Sequence, residues 1–280
     1  MRDKGETYPT WVLDQAGVEI ALVNASRLGP GQIGQHFRWV PYADALISPL
    51  TIKRYNLNEL IKAVGVNDLP ATLDDYTAKA VTPILERWKR GGALAVKFIA
   101  AYRRSLDFAD VDPAEAQRIY SKYIRGGEPP KAEYKALQDF LFRYIAREAG
   151  RMELPVHIHT GSGNGPYFNK SNANPGLLES VLDDSSMRQT TFVLLHGGWP
   201  FYKLAGAMLD KPNTYADFSA QTFYLSTHAL SEVLCDWLEW QPEKALFGSD
   251  AYSDENTLLA DWEEKEWLMT TTAREALALG

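Results

Sequence analysis

Cysteine is nearly absent: Cys235 stands alone in 280 residues. A single thiol cannot form an intramolecular disulfide, so a reducing compartment is expected. Basic residues are in the minority, 29 Lys and Arg against 36 Asp and Glu, for a formal charge of −7. That balance disfavours nucleic acid or an anionic membrane as a partner, while leaving room for a locally basic pocket. Long apolar runs are lacking too. The most apolar stretch, "GALAVKFIAAY", is too short to span a bilayer and carries Lys97. The N-terminus, "MRDKGETYPT", has no signal-peptide core. These absences together predict a soluble cytoplasmic protein. Two catalytic motifs are also missing. Ser162 has glycine on both sides, but at the wrong spacing for a G-x-S-x-G elbow. "TGSGNGP" lacks the Lys-Ser/Thr ending of a phosphate-binding loop and reads as a flexible βα loop.

What is present is an ordinary globular composition, 45% hydrophobic and 23% charged, enough for a sizeable core in one domain over residues 1–280. Short apolar, β-rich runs recur at 19–25, 37–47, 94–101, 154–161, 190–198, 213–220 and 244–251. Continuous apolar runs of this length suit strands of a parallel sheet covered on both faces. Helical patterns separate them. In "KAEYKALQDFLFRYIAREAG", Leu137, Phe140, Leu141, Tyr144 and Ile145 share one face, and Gly150 reads as the stop. Residues 56–65 and 73–90 also read as helical, the latter with a kink near Pro83, and 257–279 as a terminal helical region. The extra helical material at 50–92 and 105–150 is expected to cap one end of the sheet. Such alternation predicts an open doubly wound sheet or a (β/α)8 TIM barrel. The open sheet would show a glycine-rich turn leading into a helix, and "RLGPGQIG" (27–34) is followed by no helical pattern. The barrel would show polar groups at the ends of several strands, and that pattern is here.

Lys97 lies in one apolar run; His159 ends the next in "HIHTG", His196 the one after in "VLLHGG", and Asp250 the last in "LFGSD". In a barrel those ends gather at one mouth. Imidazoles and a carboxylate are suitable ligands for zinc or a similar divalent ion, which activates water near neutral pH. His157 shares strand parity with His159 but lies deeper, as either a hydrogen-bonded core histidine or a direct ligand. Lys97 is either a site residue or a lysine reaching for solvent. Arg103 and Arg104 could bind a substrate carboxylate or be solvated loop charges. His36 and His228 sit in less patterned surroundings and read as surface or packing residues.

The ordered set "AVKFIAAYRRSL", "LPVHIHTGSGN", "NPGLLESVL", "FVLLHGGWPFYKLAGAM", "PNTYADFSA" and "KALFGSDAY" resembles the amidohydrolase superfamily. Within it the set is most similar to the amidohydrolase-related branch that includes the N-terminal domain of nodulin/glutamine-synthetase fusion proteins. The resemblance implies a metal-dependent hydrolase barrel. It places His159 as the fifth-strand metal ligand, and His196 as the sixth-strand histidine that binds a second metal or acts on substrate. Asp250 becomes the eighth-strand aspartate that binds metal and handles the proton of water. Lys97 falls in the fourth strand, where some members use a carboxylated lysine between two metals. It implies a divalent cofactor, zinc first, with manganese or iron as alternatives.

Only three strands, ending near Asn24, Ile47 and Ala101, precede "HIHTG". The family's opening His-x-His strand therefore has no counterpart, and the C-terminus is expected to stop early. Loss of those ligands leaves three readings of the chain: a start codon further upstream, a fragment, or a branch that has lost its metal. Metal binding is then expected to be weak or absent. Three functions follow: hydrolysis of a small amide, lactone or related carbonyl substrate; metal-assisted decarboxylation; or a non-catalytic relic that binds a ligand or partner. A barrel short of one strand exposes unpaired edges, so a homo-oligomer is compatible with the chain.

Overall fold

A computed structural model describes residues 7–28, 34, 36–50, 56–163, 165–221 and 224–250. The expected helical region at 257–279 lies outside the described residues. Seven strands follow in chain order: β1 (Ala21–Asn24), β2 (Phe37–Val40), β3 (Val96–Phe98), β4 (Val156–His159), β5 (Phe192–Leu195), β6 (Thr214–Asp217) and β7 (Ala245–Leu246). Each falls inside one of the apolar runs. β1 pairs with β2, and β3 to β7 form one sheet in sequential order, all parallel. Parallel bridges Trp39–Ala93 and Tyr42–Lys97 carry the pairing from β2 to β3. An open doubly wound sheet would reverse its strand order; this arc never does, which is barrel topology. Among the described residues the arc is not closed.

Strand alternation separates two faces. Val96, Phe98, Val156, Ile158, Phe192, Leu194 and Ala216 enter the main core with the helices. The other parity carries Lys97, His157, His159 and Asp217 toward the barrel axis. Lys97 and Val193 both lie beside His157 in register, so these side chains share that face.

Helix α1 (Tyr8–Ala16) ends at left-handed Gly17 and leads into β1. His36 ties this helix to β2, with Nδ1 at 2.9 Å from the Glu19 carbonyl and Nε2 at 3.2 Å from Asp14, a packing role. After α2 (Leu57–Lys62), α3 (Leu73–Tyr76) passes through a π-turn, Thr77–Val81, into α4 (Thr82–Arg90). The expected kink at Pro83 is this widened turn, because proline has no N–H to return to the preceding turn. α5 (Pro113–Tyr123) packs against α3 through stacked Tyr76 and Tyr120, and against α6 (Lys131–Arg151). α6 lies on the sheet, where Phe142 meets Phe98 edge-on.

α6 overruns the expected stop at Gly150. A Cβ there would lie 2.4 Å from Thr190 Oγ1 and 2.9 Å from Thr190 Cα, so glycine serves close packing of the helix on the segment that leads into β5. The chain turns later, at Glu153 with φ 54°. The short α7 (Glu179–Leu182), α8 (Tyr202–Met208) and α9 (Thr227–Trp240) complete the outer layer. His228 lies exposed on α9, facing Glu232 one turn on. No helix among the described residues is long and apolar enough to cross a membrane.

Candidate functional site

The strand ends bring four of the expected site residues to one mouth. Lys97 is buried on β3, and His159 is the last residue of β4. His196 follows β5 directly, and half-buried Asp250 lies just past β7. His196 and Asp250 both adopt positive φ, 71° and 59°, unusual for residues with a Cβ and concentrated here at strand ends. The His159 and His196 rings meet edge-to-face with centroids 4.6 Å apart. Tyr102 and Phe168 close on His159 from other sides, at 4.7 and 5.9 Å.

Each of these two imidazoles has one nitrogen committed. Nε2 of His159 is buried with no hydrogen-bond partner, while the ring makes a backbone hydrogen bond to Ser162 that favours its protonated form. That bond therefore engages Nδ1 as donor, and Nε2 carries the free lone pair. His196 places Nδ1 2.8 Å from Ser219 Oγ, leaving Nε2 as its other nitrogen. Burial, then the nearby Lys97 charge, holds His159 down at about 3 and His196 well below the usual imidazole range. Both rings are neutral at pH 7. His157, one pleat deeper and beside Lys97, is held at about 3 for the same two reasons.

Lys97 is the cation of the mouth. Burial lowers its ammonium to about 8, against the attraction of Asp217, Asp250 and Asp44. Sequence reasoning singled out only Asp250 of these three. Asp44 is half-buried just past β2, and both its oxygens lie 3.0 Å from the Ile99 N–H. Burial raises it to about 6, opposed by that N–H, Lys97 and Arg103. Asp217 ends β6 and is raised by burial, opposed first by the Ser219 hydroxyl and the His196 N–H. A signal for both was present: Tyr-Ala-Asp occurs at 42–44 and again at 215–217, each time inside an apolar run and at or just past the end of its strand. Tyr42 itself faces the mouth, its hydroxyl raised by burial, then by Asp250 and Asp44.

The two arginines part company. Exposed Arg103 lies close enough to Asp44 to influence its carboxyl. Arg104 turns away from the mouth. Its guanidinium pairs with buried Asp139 of α6, donates to the Ser105 and Asp107 carbonyls, and lies over the Phe108 ring. The short helical turn Ala100–Tyr102 after β3 separates their directions.

The donor set meets a divalent cation partway. Two neutral imidazoles, one with an orphaned Nε2 inside an aromatic surround, suit zinc or a similar ion as two of its ligands. Among the described residues no three of His, Cys, Asp and Glu converge as a metal-binding group. Lys97 as an ammonium offers no lone pair.

No curated protein matches the chain in sequence. Solved structures share its fold. A Lactobacillus casei protein assigned as a metal-dependent hydrolase superposes with a TM-score of 0.71 at 19% identity, over 98% of this chain and 69% of that one. Thermotoga maritima uronate isomerase gives 0.65 at 12% identity, over 96% and 63%. Caulobacter crescentus glucuronate isomerase gives 0.59 at 14% identity, over 97% and 60%. The chain thus spans roughly two thirds of the length of these proteins. The match that names the family is to the sequence itself and covers most of the chain: residues 53–279 fit the amidohydrolase pattern, and the chain belongs to the amidohydrolase family.

Proposed function

We propose that the chain is a metal-dependent hydrolase of a small amide, lactone or related carbonyl substrate. The observation that carries this reading is the pair of neutral imidazoles, His159 and His196, beside a lysine ringed by three carboxylates at the strand ends. His159 and His196 would hold the ion through Nε2. When bound, a divalent ion supplies Lewis-acid polarisation of the carbonyl and lowers the pKa of water. Asp250 takes the proton of the attacking water and returns it to the leaving group, a role suited to a half-buried carboxylate within reach of solvent. Lys97 is the counter-ion that lets Asp44, Asp217 and Asp250 stay ionised together. Its carboxylation would turn that cation into a fourth anion, so a carboxylated Lys97 requires bound metal to balance it. Arg103, exposed beside the mouth, is placed to receive a substrate carboxylate. Arg104 is committed to Asp139 and takes no part.

The test is elemental analysis of the purified chain and zinc or manganese titration by calorimetry, followed by hydrolysis assays on an amide, lactone and ester panel. His159→Ala is expected to abolish both metal binding and activity while changing stability by less than about 2 kcal/mol. Metal-independent hydrolysis, or full activity in His159→Ala, would overturn the reading.

A further inference from the structure

We propose that Asp217 and Ser219 are positioning residues that fix His196 in its Nδ1–H tautomer and keep Nε2 unprotonated. The argument is a proton count. Asp217 Oδ1 receives the His196 backbone N–H at 2.7 Å, the Ser219 backbone N–H at 3.1 Å and the Ser219 hydroxyl at 2.7 Å. An oxygen accepting three donors has no capacity to donate. The one hydroxyl proton of Ser219 is spent on Asp217, so Ser219 Oγ can only accept from the ring. His196 Nδ1, 2.8 Å away, must carry the hydrogen.

The chain of bonds is sealed from water. Ser219 is 3% exposed, and His196 and Asp217 are also buried, so solvent does not compete for these protons. The seal is tight on the β7 side as well: a Cβ at Gly248 would lie 2.8 Å from Asp217 Oδ2 and 2.9 Å from Ser219 Cβ. The same carboxylate explains the positive φ of His196, because its N–H is drawn out of the strand direction onto Oδ1. With its proton committed and little exposure, Ser219 is no nucleophile despite its neighbours. Asp217 and Ser219 act through His196, whatever His196 then binds. Their importance for turnover rests on the proposed hydrolase reading; the tautomer does not.

The experiment is long-range 1H–15N correlation NMR of the histidine rings at pH 7.5 in chelator-treated full chain, with His196 assigned by the peaks lost in His196→Gln. Wild type is expected to show the Nδ1–H form at His196. Ser219→Ala is expected to shift the ring toward the Nε2–H form that free histidine prefers, and Ser219→Thr, which keeps the hydroxyl, to restore it. Asp217→Asn is expected to behave as Ser219→Ala. Should it fail to fold, the serine pair decides alone. An Nε2–H ring in wild type, or an unchanged ring in Ser219→Ala, overturns the proposal. A correct tautomer in a chain that hydrolyses nothing refutes the hydrolase reading and leaves the positioning role standing.

Discussion

Acid should weaken this protein between pH 7 and pH 5, and the buried imidazoles set the size of the effect. His157 and His159 are held at about 3 in the fold, against about 6.5 in an unfolded chain. Their folded-state values are depressed, so the stability they confer is complete above pH 6.5 and is lost as pH falls toward 3. Between pH 7 and pH 5 each loses about 2 kcal/mol, roughly 4 together. Asp44 works the other way. Its folded value is raised to about 6 from 3.8, so protonation over the same interval returns about 1.3 kcal/mol. His196 adds to the loss and Asp217 to the gain. Lys97, lowered to about 8, is protonated in both states below pH 7 and drops out. The net expectation is a loss of roughly 2–3 kcal/mol, a large fraction of a typical domain's stability. Urea denaturation at pH 7, 6 and 5 in the presence of chelator measures it. His157→Gln should remove about 2 kcal/mol of the pH-dependent loss, whatever it does to stability at pH 7. Equal or greater stability at pH 5 than at pH 7 would refute the reasoning.

Four further substitutions test the packing at and behind the mouth. Gly161→Ala should cost at least about 2 kcal/mol in chemical denaturation, because its φ is 75° and a Cβ would lie 2.5 Å from the Gly198 carbonyl carbon. Gly165→Ala, with φ 100° and nothing within 4 Å of the new carbon, should cost only about 1 kcal/mol. Arg104→Met should destabilise by about 3 kcal/mol, since it leaves buried Asp139 only the half-exposed Lys135, whereas Arg103→Ala should stay within about 0.5 kcal/mol in the same melt.

Strand order was legible because burial on both faces makes parallel strands read as unbroken apolar runs, and each of the seven runs holds its strand. The helix boundaries were less so. Gly150 carries the signature of a stop, but its small size answers to Thr190 on a neighbouring segment, a contact that local pattern cannot reveal. The same limit applies to Arg103 and Arg104. They are adjacent in sequence, and which one faces the mouth depends on Asp139, thirty-five residues further along. Lys97, His159 and His196 stood out because a charged or imidazole side chain is conspicuous in an apolar run. Asp44 and Asp217 lie in similar runs at or just past a strand end, yet an aspartate there is ordinary turn chemistry. Only the fold shows one oxygen of Asp217 collecting three donors.

These unnoticed carboxylates change the charge balance of the mouth, and with it the chemistry the site favours. Counting Lys97 and Arg103 against Asp44, Asp217 and Asp250 leaves one negative charge when all five are ionised, and the three imidazoles add none. Burial raises Asp44 and Asp217 despite the opposing charge of Lys97, which is shared among three carboxylates. A second proton would relieve the strain only by giving up a carboxylate. A divalent cation relieves it while keeping every group in its ionised or neutral working form, since the imidazoles are already unprotonated and cost nothing to deprotonate on binding. The depressed histidines and the raised aspartates share one first cause, burial, and a small doubly charged ion complements both, taking neutral nitrogen donors as ligands and offsetting the carboxylates.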